Sequence, residues 1–267
     1  MIQFGMPSLV EAKTVEQCAQ VCAELGLSFI ELNANFPQFQ PVRLQAEELA
    51  RIGGKYGIGY TLHLDDDLSI ADFNDYVCDA YCRTVWETIE LAKKADIRVL
   101  NMHLSKGAVY TLPQRKLYFF GEYLSEYLTR IRAFRDRCEE LIGDSDVRIS
   151  VENCDGWLDF HRAAIEILLE SPVFQLTLDA GHDFCAGGMD RTVFDANLPR
   201  LKHMHLHDAR LPRQDHQPLG EGDMDIPELL ALAEGNDCTV VLETKTEDGL
   251  RRSVQWLRDM GWLNGRL

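Results

Sequence analysis

The run HMHLHD places His203, His205 and His207 at every second position, with Met204 and Leu206 between them. In a β-strand this spacing turns all three imidazoles to one side and the two apolar residues to the other. The same interleaving of one polar ligand type with aliphatic neighbours recurs elsewhere: Leu62-His63-Leu64, Met102-His103-Leu104, Val151-Glu152, Leu178-Asp179 and Leu242-Glu243. Imidazole nitrogens and carboxylate oxygens are the usual ligands of divalent transition metals. Carboxylates gathered in a dry pocket are costly, and a divalent cation removes that cost by holding them ionised. Convergence of His63, His103, Glu152, Asp179, His205 and Glu243 therefore predicts a metal centre, with Zn, Mn, Co or Mg as candidate ions.

Further groups surround this set. His182 follows Asp179 by three residues, and the loop ARLPRQDHQPLGEGDMD carries Asp215 and His216. His182 and His216 are candidates either for an additional ion or for binding substrate oxygens. His203 is expected too deep to ligate and His207 to stand behind the ligands. Glu31 and Asn33 alternate with Leu32 and suit a hydroxyl-rich substrate, while Lys106, Arg115, Arg210 and Lys245 are cations expected near the mouth. Trp157 reads equally as a wall against a sugar ring or as packing under a helix. His161, inside a helical pattern, is expected at the surface.

Elements able to bring such distant positions together are visible along the chain. Eight β-rich runs (IQFGMPSL, SFIELNA, YTLHLD, RVLNMHL, VRISVEN, FQLTLDA, KHMHLHD and TVVLETK) alternate with segments whose apolar residues recur at spacings of three and four. Thr14 and Asp248 look like N-caps, and the unit containing TVFDANLPRL is the weakest. No Pro/Gly/Ser-rich linker or composition break interrupts the pattern, which predicts one domain over residues 1–267. Strands separated by helices imply a parallel sheet, and eight units in a chain of this length predict a single (β/α)8 TIM barrel with its active site at the C-terminal strand ends. An open doubly wound sheet is the competing architecture.

Bulk composition narrows the function classes. The chain has 43 acidic and 27 basic residues and a formal net charge of −16, a balance that repels phosphate backbones and argues against a nucleic-acid partner. No run approaches the length of a membrane span and no signal peptide is apparent, so a cytoplasmic enzyme is expected. The eight cysteines agree: Cys18/Cys22 and Cys78/Cys82 sit four apart in helical patterns, the spacing of buried thiols, and none forms a CxxC pair.

Taken together, the motifs IELN (30–33), TLHL (61–64), NMHL (101–104), VEN (151–153), LDAGH (178–182), HMHLHD (203–208), HQPLGEGDMD (216–225) and LET (242–244) resemble the xylose-isomerase-like barrel superfamily, which holds sugar isomerases, epimerases and endonuclease IV. The resemblance implies that Glu152, Asp179, His205 and Glu243 hold a shared metal. In the epimerase branch it implies that Glu152 and Glu243 also serve as acid and base on opposite faces of the sugar. In the endonuclease branch it implies a second ion on His63, His103 and Glu152, and a third on His182 and His216. That third site also uses an aspartate two residues before the latter histidine, a position where this chain has Gln214, with Asp215 adjacent.

Two readings follow. The first is a divalent-metal-dependent sugar, sugar-phosphate or keto-sugar isomerase or epimerase, in which proton transfer passes through a metal-stabilised enediolate and His182 and Lys245 polarise substrate oxygens. A lyase on a related sugar is a variant of it. The alternative is an endonuclease IV-like phosphodiesterase. One ion per chain is expected for the first and three for the second. Enzymes of this kind often pair through barrel helices, so both a monomer and a homo-oligomer stay open.

Overall fold

The computed structural model describes residues 1–212 and 214–263. In chain order the elements are β1 (Gln3–Pro7), α1 (Val15–Leu25), β2 (Phe29–Asn33), α2 (Ala46–Tyr56), β3 (Gly59–His63), α3 (Asp75–Ala95) and β4 (Val99–His103). A short hairpin, β5 (Val109–Thr111) and β6 (Lys116–Tyr118), leads into α4 (Phe119–Glu122) and α5 (Leu124–Ile142). Then come β7 (Arg148–Glu152), α6 (Asp159–Leu168), β8 (Phe174–Asp179), α7 (Ala180–Cys185), α8 (Arg191–Ala196) and β9 (Leu201–Leu206). A second ribbon, β10 (Asp208–Arg210) and β11 (Gln214–Gln217), precedes α9 (Ile226–Gly235), β12 (Thr239–Leu242) and α10 (Glu247–Asp259).

Eight strands close on themselves in the order β1-β12-β9-β8-β7-β4-β3-β2, all pairs parallel, so the chain is a (β/α)8 barrel. Each strand expected from alternation is present. The aliphatic partners of the polar residues, among them Leu62, Met102, Val151, Leu178, Met204 and Leu242, are buried. Facing away from the axis, they seal the strands against the helices, each contributing about 1.5–3 kcal/mol of burial. The two added ribbons follow β4 and β9, so both project from the C-terminal end of the barrel.

Barrel interiors are usually filled by branched aliphatic residues. Here the interior layer below the strand ends is polar: Glu31, Thr61, Asn101, Ser150, Thr177 and His203 are all buried. Thr177 Oγ1 lies 2.6 Å from both Asn101 Oδ1 and Ser150 Oγ, so these groups satisfy one another. The floor beneath is closed by the Phe29 ring, which lies where a side chain on Gly5 would be: a Cβ there would come within 2.4 Å of the ring.

Helix starts follow ordinary capping chemistry. Thr14 caps α1 through its side chain. At α10 the cap is Thr246, whose Oγ1 accepts from Gly249 N at 3.1 Å; Asp248, expected as the cap, sits in the first turn. There its charge still favours the helix dipole. Among the described residues no cysteine pairs in a disulfide, and Cys18, Cys22, Cys78 and Cys82 are buried on their helices as expected. Among the described residues no helix is long and apolar enough to cross a membrane.

His161 corrects the expectation of a surface residue. It is 2% exposed within α6, its Nε2 donates to Ser105 O at 3.2 Å, and its Nδ1 accepts from Leu158 N at 3.3 Å. Burial holds its pKa down to about 4 against an ordinary value of 6.5, so the folded ring stays neutral. Between those two pH values the unfolded chain takes up a proton that the folded chain refuses, and stability falls as pH drops from near 6.5 to near 4. The expected loss is roughly 2–3 kcal/mol. Urea midpoints at neutral and acid pH, compared between wild type and His161→Gln, check this: the variant should lose less on acidification, and equal losses would refute the assignment.

Candidate metal centre

Strand register brings the ligand candidates to one level. His103 of β4 pairs directly with Glu152 of β7, Asp179 of β8 with His205 of β9, and Asn33 of β2 with His63 of β3. Glu243 follows β12 and is held there by its amide, which donates to Leu206 O at 3.0 Å. Ligand atoms of Glu152, Asp179, His205 and Glu243 all lie within 4.8 Å of one another. His205 stands between the two glutamates: its Nδ1 is 3.0 Å from Glu152 Oε1 and 3.3 Å from Glu243 Oε2.

The donor set calls for a cation. A neutral imidazole carries a single N–H, yet both nitrogens of His205 face carboxylates, Nε2 lying 2.8 Å from Glu31 Oε1. His63 is in the same position, with Nδ1 at 2.7 Å from Leu64 O and Nε2 at 3.2 Å from Glu152 Oε2. His205 Nδ1, Glu243 Oε2 and His103 Nε2 are buried without a hydrogen-bond partner. Either protons or a metal ion must sit among these atoms. With protons alone, burial disfavours charge on His63, yet Glu152 raises it to about 9; burial likewise opposes, and Glu152 with Glu31 overcomes, a strong rise at His205. A divalent ion replaces those protons with one compact charge, and the residues present fit it.

Each ligand is braced from behind. Asp179 Oδ1 accepts from His182 N at 2.7 Å, capping α7, and lies 3.1 Å from His207 Nε2. Asn153 clasps the same residue's backbone, accepting from Asp179 N at 2.8 Å and donating to Asp179 O at 3.0 Å. Asn101 donates its amide to Glu152 Oε2. The LDAGH turn admits only glycine at position 181, because a Cβ there would come within 2.0 Å of the His207 ring. Partners of this kind orient ligands and raise their basicity. Asn101, Asn153 and Asp66 carry no signal of their own in the sequence: the Asn residues sit in NMHL and VEN, and Asp66 in the acidic run 65–67.

The flanking histidines divide into two groups. His63 and His103 meet edge to face at 4.9 Å between centroids, both reaching Glu152 Oε2, with Asp66 Oδ1 at 3.7 Å and 3.9 Å from their Nδ1 atoms. His182, His207 and His216 form the other cluster. There His216 N donates to His207 Nδ1 at 2.8 Å while His207 Nε2 faces Asp179, so both His207 nitrogens are engaged. His216 Nδ1 lies 2.9 Å from Glu243 O, and burial beside His207 holds its pKa down to about 4. Asp215 Oδ2 is 3.8 Å from His182 Nε2.

A cavity of about 510 Å³ opens over the centre, its wall including Asn33, His63, Glu152, His182, Glu243 and Lys245. Lys106 and His216 also line it. Three of the groups expected at the substrate or the mouth lie elsewhere. Glu31 is 2% exposed and sits beneath His205, two residues deeper on its strand than Asn33. Arg210 is exposed on the β10–β11 ribbon, where it donates to Glu221 O at 2.6 Å and lies 3.8 Å from Asp223 Oδ1. Arg115 is exposed on the β5–β6 hairpin, outside the cavity wall. Trp157 is packing: it is 4% exposed with its ring 5.1 Å from that of Phe194.

A closed parallel barrel carries at its C-terminal strand ends a converging His/Glu/Asp set that fits a divalent-metal site. The chain belongs to the xylose isomerase-like TIM barrel family, whose model matches residues 19–260. Similar solved structures include a D-tagatose 3-epimerase-like protein, at 21% identity over 97% of this chain and 96% of that one, with a TM-score of 0.77. Another is 3-keto-D-glucoside 4-epimerase from E. coli, at 16% identity over 97% and 100%, TM-score 0.78. The IOLI protein, crystallised with a bound zinc atom, matches at 11% identity over 99% and 100%, TM-score 0.75. No curated protein sequence matches significantly.

Proposed function

We propose that the protein is a divalent-metal-dependent sugar epimerase or isomerase that moves a proton at a carbon next to a carbonyl. The observation carrying this reading is the pairing of Glu152 and Glu243 about a single imidazole, at 3.0 Å and 3.3 Å from His205 Nδ1, beneath an open cavity. Glu152, Asp179, His205 and Glu243 would hold the ion, which supplies Lewis-acid stabilisation of negative charge building on the substrate oxygens. Glu243 Oε2, buried without a hydrogen-bond partner, is free to take a proton from carbon, while Lys245 Nζ holds Oε1 at 2.7 Å. Glu152 rises from β7, with β8 and β9 between it and β12, and returns a proton from that side. His182, His216 and Asn33 line the cavity and are placed to bind hydroxyls. The similar structures named as a D-tagatose 3-epimerase-like protein and a 3-keto-D-glucoside 4-epimerase support the choice of substrate class.

The multi-zinc phosphodiesterase reading has less behind it. His207 has both nitrogens engaged, Gln214 replaces the aspartate, and Asp66 and Asp67 line the cavity where a phosphate backbone would approach. Incubating the metal-loaded protein with keto-sugars and 3-keto-glycosides in heavy water tests the proposal: deuterium at the carbon beside the carbonyl supports it, and its absence across the panel, with phosphodiester cleavage instead, would overturn it.

Charge further selects a neutral substrate over a phosphorylated one. The two lysines of the cavity are committed, Lys106 Nζ to Asp155 Oδ2 at 2.9 Å and Lys245 Nζ to Glu243 Oε1 at 2.7 Å. No arginine lines the cavity among the described residues, whereas Asp66 and Asp67 do. A phosphate brings a charge of about −1.5 to −2 into that surface. Like-charge placement of this kind costs several kcal/mol, so kcat/KM for a neutral keto-sugar should exceed that for its phosphate by about 100-fold. Paired exchange assays on a sugar and its phosphate ester measure the ratio, and a ratio favouring the phosphate would refute the assignment.

A further inference from the structure

Glu31 is a buried carboxylate that the proposed proton transfer does not use. It is 2% exposed, lies outside the cavity wall, and sits on the polar layer one step below the metal centre. Its two oxygens are divided. Oε2 lies 3.0 Å from His203 Nε2 and accepts from Thr61 Oγ1 at 3.0 Å. Oε1 is left for His205, whose Nε2 approaches to 2.8 Å as a close charge contact, off the line of a regular hydrogen bond. His203 is anchored in turn, its Nδ1 lying 2.6 Å from Thr239 Oγ1. The barrel therefore builds a chain of side chains, Thr239–His203–Glu31–His205, from β12 through β9 and β2 back to β9 and up to Glu152 and Glu243.

We propose that Glu31 is the positioning carboxylate of His205: fixed from below by His203 and Thr61, it keeps the imidazole proton on Nε2 and so presents Nδ1 as the ligand atom. Several observations converge on this. Carboxylates face both nitrogens, but an ion held between Glu152 and Glu243 would take the Nδ1 lone pair, which leaves the single imidazole proton on Nε2, where Glu31 faces it. Nδ1 is the nitrogen turned towards Glu152 and Glu243, so the ligand must keep its lone pair there. A buried carboxylate with no contact to the cavity is otherwise a cost to folding, and here its two hydrogen-bond donors, His203 and Thr61, both belong to the scaffold beneath His205. The inference rests on the metal centre proposed above, and it adds a residue that touches neither ion nor substrate.

Titration of Mn²⁺ into metal-free wild type, Glu31→Gln and Thr61→Val, followed by calorimetry, tests it without reference to turnover. The amide introduced by Glu31→Gln would offer an N–H to Nε2 and drive the proton to Nδ1, so this variant should bind Mn²⁺ about 10- to 100-fold more weakly. Thr61→Val removes one of the donors to Oε2 at nearly constant shape and should give a loss at the low end of that range. A purely structural role would lower the melting temperature of the metal-free variants and leave Mn²⁺ affinity as in wild type; that result overturns the proposal. If Glu31→Gln does not fold, Thr61→Val decides alone, weakened binding supporting the proposal and unchanged binding overturning it. Wild type that binds no Mn²⁺ would instead remove the metal centre itself, and this inference with it.

Discussion

Replacing Glu243 with Gln is expected to slow deuterium incorporation at the substrate carbon by about 10²- to 10⁴-fold while leaving the barrel folded. The amide matches the carboxylate in size but cannot accept a proton from carbon, so the loss belongs to the proton transfer step. Geometry argues that the fold survives. Glu243 follows the last barrel strand, its backbone is fixed by the bond from its amide to Leu206 O at 3.0 Å, and that bond is untouched by the substitution. Lys245 loses its partner at 2.7 Å, but its side chain is 59% exposed and stays solvated. Lys245→Met separates the two contributions: it removes the cation beside Oε1 and leaves the carboxylate able to take the proton, so it should retain exchange far better than Glu243→Gln. Glu243 is also one of the four proposed metal ligands, so exchange is compared at saturating Mn²⁺, with metal content measured on the same samples. Exchange persisting at the wild-type rate in fully loaded Glu243→Gln would assign the proton transfer to another group and leave Glu243 as a ligand only.

The residues that this experiment addresses were legible in the sequence because a strand has a strict period of two. Once His63, His103, Glu152, Asp179 and His205 are recognised as polar members of otherwise aliphatic strands, they must share the inner face of any barrel those strands form. Depth along the axis was not legible. Glu31 and Asn33 share a face, yet about 6–7 Å of rise separates them. Pairing of Glu31 with Thr61 and of Asn33 with His63 puts the first under the centre and the second at the cavity wall. That register is a property of neighbouring strands, so neither residue's own surroundings in the sequence contain it. Loop groups were less legible still. His216 reaches the cavity through a backbone φ of 52°, in the left-handed region that a histidine seldom adopts, and Arg210 is drawn aside by Glu221 and Asp223 of its own loop. His161 reads as a helix-surface residue because its two partners, Ser105 O and Leu158 N, are backbone groups that leave no mark on residue type.

Binding of a divalent ion is expected to raise the melting temperature of the metal-free protein by about 10 °C at an ion concentration 1,000-fold above Kd. The estimate joins two relations. Ligand excess of that size stabilises the folded state by about 4 kcal/mol, and a barrel of this size gains about 2–4 °C per kcal/mol. The cause is local: Glu152, Asp179 and Glu243 bring three carboxylates, each buried or nearly so, within 4.8 Å of His205, and without an ion imidazolium charge and the Lys245 ammonium on Glu243 are left to offset them. Burial opposes that charge, but Glu152 raises His63 to about 9 and, with Glu31, raises His205 well above its ordinary value. The sign of the pH dependence follows. An imidazole must lose its proton to ligate, His205 is held well above its ordinary value by Glu152 and Glu31 despite burial, and so an ion that enters expels a proton and binds more tightly as pH rises above neutrality. Titration of Mn²⁺ or Zn²⁺ near neutral pH in two buffers of different ionisation enthalpy should therefore register proton release, together with the thermal shift. Asp179→Asn tests the assignment of the ligands. It keeps the side-chain oxygen that caps α7 by accepting from His182 N at 2.7 Å, and it removes one negative charge from the ligand set. The variant should fold, melt near the metal-free wild type and respond weakly to added ion. A wild-type melting temperature indifferent to Mn²⁺, Zn²⁺ and Co²⁺ would show that protons alone balance these carboxylates.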